Sequence, residues 1–148
     1  MNAESKILRA GVAKLTPALG RSGFHVDWGD EGVSSGGSFA TCFFRKGAVE
    51  IGLIVRAPGE LGCPNYSIGD GYAGHGDLLW ALGHAGEGKL VSGDFLSYHA
   101  VDGGDPFDAL LHDLITFVLA AYASPGHLEN AITRAHKKGM DALFGRKC

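Results

Sequence analysis

The sequence predicts an α+β fold, an antiparallel sheet of about four strands covered on one face by a long central helix plus N- and C-terminal helices. Strand-like segments are grouped between residues 23 and 68, whereas a long apolar helix and a final amphipathic helix follow them. Strands and helices that are segregated along a chain are typical of α+β proteins. The 148 residues are expected to form a single domain, because most domains are about this size.

Residues 105–122 predict the central helix. Asp105 suits the N-cap because its carboxylate can accept from first-turn amides, and Pro106 suits the first helical position. The residues that follow are apolar almost all round, so the helix must be covered on most sides. Its polar residues form one stripe that should face water or a site: Asp105, Asp108, His112 and Thr116.

Four strands are predicted before this helix. Residues 23–28 alternate between apolar and polar, and residues 39–45 and 48–56 are two β-rich runs joined by a turn at Lys46-Gly47. Residues 65–68 complete the set. The Gly-rich segments 29–38 and 69–76 are predicted to be loops, and helices are expected at 3–19, with Gly20 as its C-cap, and at 77–82.

Composition narrows the function classes. A net charge of −3 gives no electrostatic reason to expect nucleic acid or an anionic membrane as a partner. The three cysteines include no CxxC pair, which argues against a disulfide framework and a cysteine zinc site. No signal peptide or membrane-spanning run is evident, so a cytoplasmic protein without a cofactor is the expectation.

The motif Gly69-x-Gly71-x-x-Gly74 matches the dinucleotide-binding fingerprint. Its context is an antiparallel hairpin sheet instead of a βαβ unit, and Asp70 would point a negative charge at the pyrophosphate. We therefore interpret it as a Gly-rich turn.

Histidines and aspartates are dense between residues 70 and 113. Asp108 and His112 are spaced i, i+4 on one helix face, and His75 and Asp77 begin the short helix. If the two helix starts met, the four could bind a metal, with His112 and Asp108 as catalytic candidates of a small metal-assisted hydrolase. The alternative is that the carboxylates favour helix dipoles and the histidines are solvated.

The aromatic residues of the strand region exceed what one sheet face can hold. Since helices cover one face, some aromatics must lie on the other, where they would form a surface for a partner, or they pack on the loop 84–104. The residues expected to bind are Trp28, Phe43, Tyr66 and Tyr72. A third hypothesis is a small-molecule site in the cleft between the sheet and that loop.

Several segments between residues 7 and 83 carry a resemblance in layout: Gly23-Phe24 opening a strand, Phe43-Phe44-Arg45 ending a hairpin, the Tyr66 strand, and His75-x-Asp77-Leu-Leu-Trp-Ala-Leu82. This layout resembles small uncharacterised bacterial α+β proteins, some of which are grouped with toxin-immunity-like proteins. The resemblance implies a cytoplasmic protein that acts by occupying a partner. The leading hypothesis is therefore a non-enzymatic, immunity-like interaction module. It would bind a protein partner through the aromatic sheet face and the loops 29–38 and 69–76. The sequence is also compatible with a homodimer.

Overall fold

A computed structural model describes residues 1–93, 97–124 and 126–144 and shows an α+β fold. In these ranges the helices are α1 (Ala3–Arg21), α2 (His75–Ala81), α3 (Pro106–Tyr122) and α4 (His127–Phe144). The strands are β1 (His25–Ser34), β2 (Gly37–Lys46), β3 (Val49–Arg56), β4 (Glu60–Leu61), β5 (Asn65–Ile68), β6 (Gly71–Gly74), β7 (Leu90–Ser92) and β8 (Tyr98–Ala100).

The main sheet has six antiparallel strands, so the prediction of about four was too low. The strand order is β1-β2-β3-β5-β6, with β4 beside β3, and β7 and β8 form a separate ribbon. The two additional strands are the short β4 beside β3 and β6, which occupies 71–74 of one predicted loop. In the other predicted loop, β1 continues through 29–34. These Gly-rich segments contribute few side chains to a core, but their backbone groups pair with neighbouring strands.

The predicted hairpin at residues 46–47 is confirmed. Lys46 pairs with Val49, and Gly47 adopts a positive φ of 57°, which glycine tolerates without steric cost. β3 lies at the centre of the sheet, where its alternate residues are buried: Val49, Ile51, Leu53 and Val55. The two faces of the sheet therefore differ sharply in burial.

The N-terminal helix covers one face of the sheet. Its first turn is capped by Asn2, whose side chain accepts from the Ser5 amide at 2.8 Å. The helix continues past Pro17 to Arg21, so it ends slightly later than the sequence predicts. Its buried side chains join those of β2 and β3 in the core.

The predicted central helix is present, but its form and place differ from the expectation. The Asp105 side chain accepts from the Phe107 amide at 2.8 Å, as the capping prediction requires. The middle of α3, Leu114–Val118, is π-helical, so the helix is not one regular α-helix. Its main neighbours are α1 and the β7–β8 ribbon, whereas α1 and α4 pack directly on the sheet.

No single helix in the described ranges is long and apolar enough to cross a membrane; α3 and α4 meet that test only as a bent pair with an angle of 110°. Most of the apolar side chains of α3 are buried in the core. Pro125, just before α4, and Cys148, one of the three cysteines, lie outside the described residues.

Candidate functional site

The face of the main sheet that points away from the core carries the candidate site. In the described part of the chain, the buried side chains of all four helices join the core on the other face. Strand register assigns Phe43 of β2 to the outer face, opposite Gly52 of β3. We call this outer face the open face, defined by Phe39, Thr41, Phe43, Arg45, Glu50, Gly52, Ile54, Ser67 and Tyr72.

Glycines beneath the Phe43 ring allow it to lie across three strands. A Cβ added to Gly52 on β3 would lie 3.4 Å from Phe43 Cε1, and one added to Gly29 on β1 would lie 3.0 Å from Cε2. Phe39 covers Gly32 in the same way, at 3.6 Å. The rings thus cover backbone that has no side chains of its own, and they remain only partly buried.

Charged groups beside Phe43 are paired within the open face. The Arg45 guanidinium donates to Asp27 Oδ2 and Glu50 Oε2, each at 2.7 Å, and its Cζ lies 4.8 Å from the centre of the Phe43 ring. The hydrogen bond from Arg45 lowers the pKa of Asp27 below its usual value. The centre of the face is therefore apolar, and both neighbouring carboxylates are paired with Arg45.

The four aromatic residues predicted to bind do not share this surface. Trp28 pairs with Cys42, whose side chain is buried, so Trp28 belongs to the helix-covered side of the sheet. There it is 42% exposed at the sheet edge, with Arg9 of α1 at 4.1 Å from the ring centre. Tyr66 is fully buried on the same side and cannot contact a partner directly.

Tyr72 lies at the far edge of the open face. Its register partner is Ser67, which continues a row through Glu50 to Arg45. The ring is 54% exposed and contacts His136 of α4, and the Tyr72 amide donates to His136 Nδ1 at 3.2 Å. Three strand spacings of about 4.8 Å place Tyr72 roughly 14 Å from Arg45. Phe43 and Tyr72 therefore remain as candidates on the open face.

The dense His and Asp segment forms a buried hydrogen-bonded chain. The Tyr66 hydroxyl lies 2.8 Å from His75 Nδ1, and His75 Nε2 lies 2.8 Å from Asp113 Oδ2. Asp113 also accepts from the amides of Lys89 and Leu90, at 2.8 and 3.0 Å. A neutral His75 protonated at Nε2 satisfies every contact, donating to Asp113 and accepting from Tyr66.

Burial and hydrogen bonding oppose each other at Asp113. Burial alone would raise the pKa of its carboxyl, but hydrogen bonds from His75, the two backbone amides and His112 lower the pKa to about 2. Burial, and then the nearby charge of Asp113, raise the pKa of Tyr66 well above its usual value. At neutral pH the carboxylate of Asp113 is consequently ionised and the phenol of Tyr66 is protonated.

The order Asp–His–hydroxyl is that of an activated nucleophile, but this hydroxyl cannot meet a substrate. Tyr66 and Asp113 are 0% exposed and His75 is 1% exposed. A pocket of about 200 Å³ adjoins His75, yet both ring nitrogens already have partners. These hydrogen bonds connect β5, α2, α3 and the residues at the start of β7, so we interpret them as a structural network.

Of the four predicted metal ligands, His75 and His112 both contact Asp113, whereas Asp77 and Asp108 pair with lysines elsewhere. Asp77 lies 3.4 Å from Lys138 Nζ, and Asp108 lies 3.1 Å from Lys14 Nζ, both at the surface. His112 contacts Asp113, whose other oxygen meets His75. Within residues 1–93, 97–124 and 126–144, no group of three or more His, Cys, Asp or Glu side chains could hold a metal ion.

Comparison with known proteins assigns no family. The chain matches no family model, and neither a curated protein nor a solved structure shows significant similarity to it. The geometry of the described residues is therefore the basis for any functional assignment.

The sequence alone did not identify Phe39 on the open face or Asp113 in the buried hydrogen-bond network. The alternation in β2 could have grouped Phe39 with Phe43, since both fall on the same side of one strand. Asp113 ends the segment that is dense in histidine and aspartate, but the i, i+4 spacing in that segment points to Asp108 with His112 instead. No local pattern predicts that Asp113 meets His75, which lies 38 residues earlier.

Proposed function

We propose that this protein is a non-enzymatic interaction module whose docking surface is the open face, and that a second copy of the chain occupies that surface. The observation that carries the proposal is the partly exposed Phe43 ring, which lies across three strands on the same sheet face as Phe39 and Ile54. Aromatic residues in such positions are enriched in protein interfaces.

The charge pattern favours self-association over a strongly charged partner. In a twofold dimer the same patch lies on both sides, so a face with one sign of charge would repel its copy. Here Arg45 contacts both Asp27 and Glu50, so charges of both signs lie side by side near Phe43. Two such faces therefore do not oppose charges of a single sign, and the Arg45 of one copy can approach the carboxylates of the other.

The area of the open face limits the expected affinity of the dimer. Three long strands and two short ones, spaced about 4.8 Å apart, give about 500 Å² per copy. Two copies would bury about 1,000 Å², which is near the lower limit for a specific interface. A weak dimer with a dissociation constant in the micromolar range is expected.

Sedimentation velocity over concentrations up to about 500 µM tests the proposal, since this range brackets micromolar affinities. The parent chain should shift from monomer to dimer, and Phe43→Glu should remain monomeric because dimerisation would bury its charge. Ile115→Glu is the control, because Ile115 is 50% exposed on α3, away from the sheet face, and its variant should dimerise normally.

Circular dichroism must show that the Phe43 variant is folded. If it is not, Arg45→Glu replaces it, since reversing this charge places uncompensated acid on both copies. A parent chain that stays monomeric throughout, or a folded variant that dimerises like the parent, would overturn the proposal. If the parent chain is monomeric, the open face would have to bind a different protein.

A further inference from the structure

A cleft of about 970 Å³ lies at one end of the sheet, apart from the centre of the open face. The turn between β3 and β4 forms one wall, and β8 with the start of α3 forms the other. The lining includes Arg56, Leu61, Tyr98, His99 and Pro106. Its volume is at the upper end of the range of about 300–1,000 Å³ that is typical of small-molecule sites.

Arg56 is the fixed positive charge of this cleft. Its guanidinium crosses closely over Gly62, where an added Cβ would lie 2.8 Å from Nη1. The residue is partly buried and forms no ion pair within the part of the chain that the structure describes. A guanidinium in this situation retains its planar set of donors for an incoming carboxylate.

The remaining polar groups limit the charge of the ligand. Glu60 lies opposite Arg56 in the strand register and is exposed at the rim, so a doubly charged group would meet repulsion there. Burial, and then a hydrogen bond with Cys63, raise the pKa of Tyr98, which leaves its phenol neutral. Among the described lining residues, Arg56 is partly buried whereas Glu60 is exposed, so water screens the charge of Glu60 more strongly and the cleft favours a ligand with a single negative charge.

From this arrangement we infer that the cleft binds a small organic monoanion, a carboxylate attached to an apolar body. Arg56 binds the carboxylate through two parallel hydrogen bonds. The apolar body lies against Leu61, Pro106 and the Tyr98 ring. This site is independent of self-association through Phe43.

Titration with decanoate, followed by the amide resonances of the isotope-labelled protein, tests the inference. Shifts should concentrate at residues 56–61 and 98–106. Decanoate should bind about tenfold more tightly than decanol, which lacks the charge, because an ionised partner strengthens the hydrogen bonds. Decyl phosphate should bind more weakly than decanoate once it carries two charges, and acetate should bind weakly because it lacks the apolar body.

Substitutions of Arg56 test whether its guanidinium binds the carboxylate. Arg56→Gln should weaken decanoate binding about tenfold, to the level of decanol, and leave decanol binding unchanged. Arg56→Lys, which keeps the charge but loses the planar donor set, should be intermediate. Arg21→Gln at the end of α1 is the matched control and should bind like the parent chain.

Phe43→Glu should also bind decanoate normally, which separates this test from that of the open face. Equal decanoate affinity in the parent and Arg56→Gln, or shifts confined to β2 and β3 around Phe43, would overturn the inference.

Discussion

Replacing Asp113 by Asn should strongly destabilise the protein without changing side-chain shape. Asp113 Oδ1 accepts from the Lys89 amide and His112, and Oδ2 accepts from His75 and the Leu90 amide. An asparagine retains one accepting oxygen, so two of these donors would face an NH₂ group instead. At about 1–3 kcal/mol for each donor left without an acceptor, the free energy of unfolding should fall by about 2–6 kcal/mol.

The pH dependence of this difference identifies the ionised carboxylate as its source. The folded-state pKa of Asp113, about 2, lies below its ordinary value of 3.8, so the carboxylate stabilises the fold at higher pH. This contribution is lost as the pH falls towards 2, with about 1 kcal/mol already lost at pH 3. Asparagine has no such contribution, so the gap between the two proteins should narrow by that amount.

Urea denaturation at pH 7 and pH 3 measures both effects. Asp108→Asn, in the same helix, is the control; Asp108 is an exposed partner of Lys14, and its loss should cost at most about 1 kcal/mol. If Asp113→Asn matched this control at pH 7, or if its deficit did not change with pH, the buried network would not have the energetic role inferred from its geometry.

Two further substitutions test the packing of the helices. Gly11→Ala should lower the melting temperature, because the added Cβ would lie 2.3 Å from Phe107 Cδ1; overpacking costs about 1–3 kcal/mol, more than the gain of about 1 kcal/mol in helix propensity. Gly20→Ala in the same helix meets nothing within 4 Å and should be neutral or stabilising, so equal melting curves would contradict the close approach. Leu114→Asp should prevent folding, since the side chain is fully buried, whereas Ile115→Asp at the adjacent exposed position should cost little. A cooperative near-parental melt for Leu114→Asp would remove α3 from the core.

Local chemistry in the sequence predicts several elements correctly. The cap at Asp105, the glycine turn at residue 47 and the strand at residues 65–68 each depend on residues close together in the chain. Such signals are strong because capping and turn geometry are set by side chains within a few positions. The α+β class follows from the order of these elements.

Glycine-rich segments were harder to assign, because their local preference does not favour strands. In β1 the segment 29–34 is held by pairing with β2, and the Phe39 ring covers Gly32. The stabilising groups belong to other strands, so no pattern within 29–38 shows them. The same holds for β6, which pairs with β5.

The amino-acid sequence by itself determined the elements with local signals and the supply of aromatic and ionisable side chains. Tertiary structure decided which of them meet. Register put Phe43 on the open face and Trp28 on the covered one, because successive residues of a strand point to opposite sides. Chain folding brought Asp113 to His75 across 38 residues, where exclusion of water makes complete hydrogen bonding of the carboxylate necessary.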